Sequence, residues 1–260
     1  MTLNMICMDL DLGVLYQWGH SVRLGGDAGY LFHAASRKIF GELGPQPFLI
    51  QSEHGRVLGY TAASEEQLRN CINLYSALDS PVLLQALRLP PACCKSMPER
   101  WISGQQYRYS VFCRPTARND KIEGDVWLLE THRRYLDAVN DQSFSGTLQE
   151  YRQQHNNLRE PIYRAWFQRQ FDGNEKEGIP QAAQLETISI DGCQCNMLTA
   201  RGGKEHSGAP TKGKKRNMPE ISLSGVLRVA DPQAFARLVK RGIGRHRAFG
   251  YGMLLLKPGA

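Results

Sequence analysis

Arg241-Gly242-Ile243-Gly244-Arg245-His246-Arg247-Ala248-Phe249-Gly250-Tyr251-Gly252, followed by the apolar Met253-Leu254-Leu255-Leu256, organises the reading of everything before it. Glycines interleave with cations, and aromatics follow. Glycine permits close backbone approach and φ > 0. Successive free N–H groups in such a loop form a concavity suited to anions. The glycine spacing is not that of a dinucleotide fingerprint, and a strand-like Tyr251 to Leu256 follows it where that fingerprint needs a helix. A phosphate-bearing chain is therefore a better expectation than a nucleotide cofactor. Just upstream, Asp231 and Pro232 supply an N-cap and an N1 proline. The helix 232–241 turns Phe235, Leu238 and Val239 inward and keeps Arg237, Lys240 and Arg241 outside or at its C-terminal end. Pro219 to Ala230 alternates as a strand, so the chain closes as strand, helix, glycine-rich loop, strand.

The first half repeats this economy. Residues 3–10 read as a buried strand, with Asp27 as the N-cap of a helix over 28–41. Pro47 to Gln51 and Arg56 to Thr61 form a hairpin around Glu53-His54-Gly55. A second helix opens at Ser64, residues 79–103 are proline-rich and irregular, and Gln106 to Arg114 alternates as a strand with Tyr107, Tyr109, Val111 and Cys113 on one side. Strand, helix, strand, strand, helix, strand is the ferredoxin-like unit. Its helices cover one face of the sheet and leave the other for RNA; Tyr107 and Tyr109 are candidates to stack bases there, with core packing an equal reading.

Pro115 to Glu123 is a polar break. It divides an N-terminal ferredoxin-like domain, 1–117, from a C-terminal one, 118–260. The second carries a helical insertion over 124–171, with helices Val126 to Val139, Thr147 to Arg159, and a third begun by Pro161. Two strands, Gln184 to Ser189 and Gln194 to Thr199, join through an Asp191-Gly192 hairpin signal. A basic loop over 200–217 follows. The fold class is α+β: tandem ferredoxin-like domains.

Composition narrows the partners. The net charge is +7 and the pI about 9.1, a balance that favours a polyanion. Residues 201–216 carry Arg201, Lys204, Lys212, Lys214, Lys215 and Arg216 against Glu205 alone, and 237–247 holds no acid. No stretch approaches the ~20 apolar residues of a membrane span. The first residues lack a basic n-region, and seven cysteines without a C-x-x-C pair fit a reduced, cytoplasmic chain with no disulfide framework. No carboxylate cluster has metal-ligand spacing, and no metal or cofactor is expected.

The end of the chain, Leu238 to Leu256, closely resembles the C-terminal glycine-rich motif of the CasE-type CRISPR repeat endoribonucleases of the RAMP superfamily. Leu15-Tyr16-Gln17-Trp18-Gly19-His20 resembles the family's entry to its first helix, where many members carry a catalytic histidine, and Tyr30-Leu31-Phe32-His33 resembles that helix loosely. The insertion over 124–171 is larger than in that branch. It looks more like the crRNA-processing subunit of type IV systems, in which arginines carry the catalytic work. The resemblance implies an endoribonuclease that cleaves precursor RNA at repeat hairpins without a metal, by attack of a 2′-hydroxyl. It further implies that the enzyme stays on the mature crRNA as a subunit of an effector complex.

The implied catalytic residues are His20, Arg23 and Arg37. Histidine suits proton transfer near neutrality, whereas arginine stays charged and holds phosphate oxygens in a planar fork. Expected RNA contacts are Arg241, Gly242, Gly244, Arg245, Arg247 and Gly250 in the loop, Lys212, Lys214, Lys215 and Arg216 in the basic segment, and Arg152, Arg159 and Arg164 on the insertion. His33 and His246 rank below His20 as catalysts. The rival reading is a non-catalytic crRNA-binding subunit of the same superfamily.

Overall fold

A computed structural model describes residues 3–78, 82–119, 122–174, 177–199 and 215–259. Its first sheet follows from the alternation of Asn4–Leu10 (β1). Ile6, Met8 and Leu10 point to one side and are buried there. β1 pairs antiparallel with β3 (Arg56–Thr61), which pairs in turn with β2 (Phe48–Gln51). On its other edge β1 takes the short strands β4 (Leu87–Arg88) and β5 (Cys94–Ser96) side by side. The order β2-β3-β1-β4, with β5 also on β1, is ferredoxin-like.

Three elements seal the buried face. Asp11 accepts the Val14 N–H at 3.0 Å and caps helix α1 (Leu12–Ser21), and Asp27 accepts from Tyr30 at 2.8 Å and caps α2 (Ala28–Phe40). Helix α3 (Glu65–Leu78) follows, and the short α4 (Val82–Ala86) packs against α1. Leu15, Trp18, Leu31, Phe32, Ala35 and Leu68 pack onto Ile6, Met8 and Phe48.

The second sheet is built on β10 (Lys215–Val229). It pairs with β9 (Ala183–Thr199) on one side and β6 (Gln106–Cys113) on the other, and β11 (Leu255–Pro258) adds to β6. The small hairpin β7 (Thr116–Asn119) and β8 (Ile122–Asp125) leads into α5 (Val126–Asn140), α6 (Leu148–Gln154) and α7 (Arg159–Gln168). Pro161 sits in the first turn of α7 as expected, and a capping box between Thr147 and Glu150 starts α6. Helix α8 (Pro232–Arg241) has the expected inward stripe, and Asp231 accepts from the Ala234 N–H at 2.7 Å. Among the described residues no helix is long and apolar enough to cross a membrane.

Several expectations need correction. Strand 106–113 belongs to the second sheet: Tyr107, Tyr109, Val111 and Cys113 are buried in the core with Phe167, Phe171 and Phe235. The edge of β1 that it was expected to fill is taken by β4 and β5, from the stretch read as irregular. The tyrosines are thus core residues, and their hydroxyls are committed inside or buried; Tyr109 donates to the Thr187 carbonyl at 3.0 Å. The face of the first sheet opposite its helices is not left to RNA either. Met5, Leu49, Leu58 and Met97 pack against the second core, and the Tyr60 hydroxyl donates to the Leu254 carbonyl at 2.8 Å.

Residues 14–23 were given no element, yet most lie in α1. Asp191-Gly192 makes no hairpin: β9 runs straight through it. Gly192 pairs with Ser222 and Ile190 with Leu223, so Asp191 is the extra residue of a bulge. The terminal strand starts at Leu255, because Tyr251 to Leu254 turn into the core first.

Candidate nucleic-acid interface

The glycine-rich loop folds on itself before it meets anything else. Gly242, Gly244, Gly250 and Gly252 all take positive φ, as does His246 at 61°. Gly252 shows why: the Ile243 N–H donates to its carbonyl at 2.8 Å, and a Cβ there would lie 2.1 Å from the Ile243 oxygen. The Gly252 N–H donates to the Phe112 carbonyl at 2.7 Å, which anchors the crossing to β6. Gly244 rests on the Trp166 ring of α7.

A buried polar cluster supports the loop from below. Arg114, at the end of β6, is 2 % exposed and lies over the Tyr251 ring, its Cζ 3.9 Å from the centroid. Arg114 Nη2 donates to Glu220 Oε1 at 2.5 Å, and both Arg114 and Glu220 hydrogen-bond the Tyr251 hydroxyl. Gln194 donates to the other Glu220 oxygen at 3.1 Å, joined there by Asn196. Burial pushes the Glu220 carboxyl up, but the hydrogen bonds from Arg114 and Tyr251 outweigh it and hold the group below its ordinary range. Burial raises the Tyr251 phenol against the opposing charge of Arg114, so it stays protonated and donates.

A second clamp comes from the β7–β8 hairpin. Glu123 accepts from His246 Nε2 at 2.9 Å, from Arg245 Nε at 3.0 Å and from Thr116 Oγ1 at 2.9 Å. The His246 hydrogen bond leads in lowering the Glu123 carboxyl to about 2, outweighing burial, and Thr116 and Arg245 add to it. His246 is thereby held to the hairpin through one ring nitrogen.

The two ends of the chain meet at the start of α2. A Cβ on Gly29 would lie 2.0 Å from the Phe249 carbonyl oxygen, so only glycine lets the loop seat there. The Phe249 ring lies 6.0 Å from Tyr30 and 5.6 Å, edge-on, from His33. Arg245 and Arg247 belong to the same loop, and Arg241 ends α8 just before it. Arg247 donates to the Arg241 carbonyl at 2.9 Å. Burial, then the charges of Arg241 and Arg245, lower its guanidinium below the usual arginine range. Like charges crowded in this way are relieved by an anion.

The expected catalytic residues lie on α1, in the turn after it and on α2. His20 is in the last turn of α1 and exposed. Arg23 is exposed in the turn between α1 and α2, at φ 55°. Arg37, on α2, pairs with Glu42 at 2.6 Å in an exposed contact. The histidine that touches the loop is His33. It is half-buried, and burial, then the charge of Arg37, lowers its pKa, which keeps the ring neutral near neutral pH. The sequence ranks His33 low as a satisfied neighbour of Arg37, one turn along the helix; the structure adds its contact with Phe249.

The insertion arginines point inward. Arg152 donates to the Leu128 carbonyl at 3.0 Å and to Thr131 Oγ1 at 3.3 Å. Arg159 lies over the Trp127 ring, 3.9 Å from Cζ to centroid. Arg164 pairs with Glu160 at 2.7 Å and donates to the Ile188 carbonyl. Lys212 and Lys214 lie outside the described residues. Lys215 and Arg216 open β10 opposite Thr199 and Leu198, at the far end of the β9–β10 ribbon.

Known proteins were compared with this architecture. No curated protein matches the sequence. Solved structures of similar fold include CRISPR endoribonuclease Cse3 bound to a 19-nucleotide RNA, with 16 % identity over 99 % of this chain and 100 % of that one, at a TM-score of 0.57. Thermus thermophilus Cse3 bound to an RNA representing a pre-cleavage complex matches at 15 % identity, 99 % and 100 % coverage, and TM-score 0.56. A CRISPR-associated protein from Thermus thermophilus matches at 15 %, with the same coverages and TM-score 0.51. At these identities the likeness establishes the shared tandem ferredoxin-like fold. The model of the family described as CRISPR associated protein matches residues 21–258. The chain belongs to the CRISPR-associated protein family and has a tandem ferredoxin-like fold.

Proposed function

We propose that the chain is a CRISPR repeat endoribonuclease that cleaves precursor RNA at the junction of the glycine-rich loop and α2, without a metal, and keeps the mature crRNA as an effector-complex subunit in the cytoplasm. The observation that carries this reading is the seating of Phe249 on Gly29 and His33. It sets the mutually repelling Arg241, Arg245 and Arg247 against the helix that bears His33 and Arg37. The solved Cse3 structures of the same fold hold RNA.

In the reaction the 2′-oxygen attacks the neighbouring phosphorus, the bond from phosphorus to the 5′-oxygen breaks, and a cyclic phosphate and a 5′-hydroxyl result. The proton of the 2′-hydroxyl leaves to a base, and the 5′-oxygen gains one. His33, in contact with the loop and unprotonated near pH 7, is the first candidate to take that proton; His20 is the second. Arg23 and Arg37 stabilise the charge that develops on the phosphorane, and in-line positioning contributes up to ~7–11 kcal/mol. Arg245 and Arg247, with the loop glycines, hold the RNA backbone on either side.

One observation favours the rival, a crRNA-binding subunit that cuts nothing: Arg37 is already paired with Glu42, and no hydrogen bond is recorded from the His20 ring among the described residues. Repeat RNA carrying a 2′-deoxy nucleotide at the cut site separates the readings. The enzyme cuts the unmodified repeat and leaves the 2′-deoxy substrate whole while binding both equally. Binding without cleavage of either RNA supports the rival, and cleavage of the 2′-deoxy substrate excludes the mechanism.

A further inference from the structure

The first domain gathers two thiols and a carboxylate at a place the RNA chemistry does not use. Glu65 is in the first turn of α3, Cys94 opens β5, and Cys93 precedes it. Their ligand atoms all lie within 4.8 Å of one another. We propose that Glu65, Cys93 and Cys94 bind a thiophilic divalent cation of the zinc type.

The spacing fits. Two sulfurs bonded at about 2.3 Å on a tetrahedral ion stand about 3.8 Å apart, and the Cys93 and Cys94 Sγ atoms are separated by 3.8 Å. Glu65 supplies the third ligand and water the fourth. Backbone pairing fixes the thiols: the Cys7 N–H donates to the Cys93 carbonyl at 2.8 Å, and Cys94 pairs with Ile6 of β1. Arg69 fixes the carboxylate. Its Nε and Nη2 both donate to Glu65 Oε1, at 3.0 and 2.6 Å, and Nη2 also donates to the Pro90 carbonyl at 2.9 Å. Such a partner behind a ligand orients it.

Charge closes as well. Two thiolates and a carboxylate balance a divalent ion plus the Arg69 guanidinium, and binding releases the two thiol protons to solvent. Cys93 is buried and the other two ligands are half-exposed, so an ion has a path in. Bound there, it ties the first turn of α3 to the β1–β5 edge. The site is independent of the reading of the loop.

The test uses the metal-free full chain, titrated with Cd²⁺ and followed by the thiolate-to-cadmium charge-transfer absorption, then back-titrated with Zn²⁺. Expected is saturation at a single ion per chain and displacement by Zn²⁺. Cys94→Ser removes the band, and Glu65→Gln weakens affinity by about tenfold or more. Cys193→Ser/Cys195→Ser, which removes the exposed pair on β9, changes nothing. The thermal midpoint of the unmodified chain rises with Zn²⁺, and that of Glu65→Gln rises less, which keeps the proposal testable if Cys94→Ser fails to fold. No saturable binding by the unmodified chain, or binding that Cys193→Ser/Cys195→Ser abolishes, overturns it. RNA cleavage is not a readout, so the outcome is separate from that of the endoribonuclease reading.

Discussion

Two arginine-rich regions look alike in the sequence and behave differently in the fold. On the helical insertion Arg133 pairs with Glu130 and Asp137, Arg134 with Glu130 and Arg164 with Glu160, while Arg152 and Arg159 turn onto α5. These cations are spent on i,i+3 and i,i+4 partners, backbone carbonyls and an indole ring. In the glycine-rich loop the recorded ion pairs all run to Glu123, and Arg247 is destabilised as a cation by Arg241 and Arg245. Charge that the fold has already neutralised adds less to polyanion binding than charge crowded against its own kind, as Arg247 is. The number of arginines in a segment therefore matters less than what their guanidinium groups already touch.

The largest expected effect removes the support beneath the loop. Glu220→Ala leaves Arg114 buried without its carboxylate, which costs about 3–5 kcal/mol. A large fall in the thermal midpoint is expected, against a change near zero for Arg133→Ala, whose pairs are exposed and worth at most ~1 kcal/mol. Equal effects of the two would dissolve the contrast. Next comes the seat of the loop. Gly29→Ala drives a Cβ into the Phe249 carbonyl and costs about 1–3 kcal/mol, even though alanine gains up to ~1 kcal/mol in helix propensity. Repeat-RNA cleavage should fall with it. Gly25→Ala, where nothing lies within 4 Å of the added atom, should leave both stability and cleavage unchanged.

Acid provides a milder probe. Glu123 sits near 2 in the fold, against an ordinary value of 4.5. The stabilisation from its contacts is complete above about 4.5 and is lost as pH falls from there through about 2. Gly244 lies against Trp166, so the indole fluorescence should report release of the loop over that window. Glu123→Gln should lack the transition; a transition unchanged in Glu123→Gln would assign it to another carboxylate.

Much of this was legible in the sequence, and the misses share a cause. Asp231 and Pro232 marked α8 correctly because capping is local, and the stripe of Phe235, Leu238 and Val239 marked its inner face. Strand 106–113 was legible as a strand but not as a partner of β10, because pairing across a separation of more than a hundred residues leaves no local trace. Tyr107 and Tyr109 read equally as stacking rings or as core, and the pairing with β10 decides for core. Asp191-Gly192 carried the composition of a turn and served as a bulge, since the long β10 opposite held β9 extended.

Helix α1 was missed although Asp11, Leu15 and Trp18 mark its cap and inner face; the buried strand before it and the Gly19 near its end masked the period. At the site, the loop's cations and glycines were visible. Glu123, Glu220 and Arg114, which hold it, were not, because each lies far along the chain from its partner. His33 could be ranked above His20 only once Phe249 was seen against it.

The central claim is that RNA is held at the loop rather than along the insertion. It is tested most directly by the salt dependence of repeat-RNA binding in three proteins: the unmodified chain, Arg245→Ala/Arg247→Ala, and Arg133→Ala/Arg134→Ala. Each lost phosphate contact reduces the slope of log K against log salt by roughly 0.7–0.9. The loop variant should lose about two such contacts and bind at least ~100-fold more weakly, since charged hydrogen bonds contribute about 1.5–3 kcal/mol each. The insertion variant should keep the slope of the unmodified chain. A slope that falls for the insertion variant and holds for the loop variant would contradict the account.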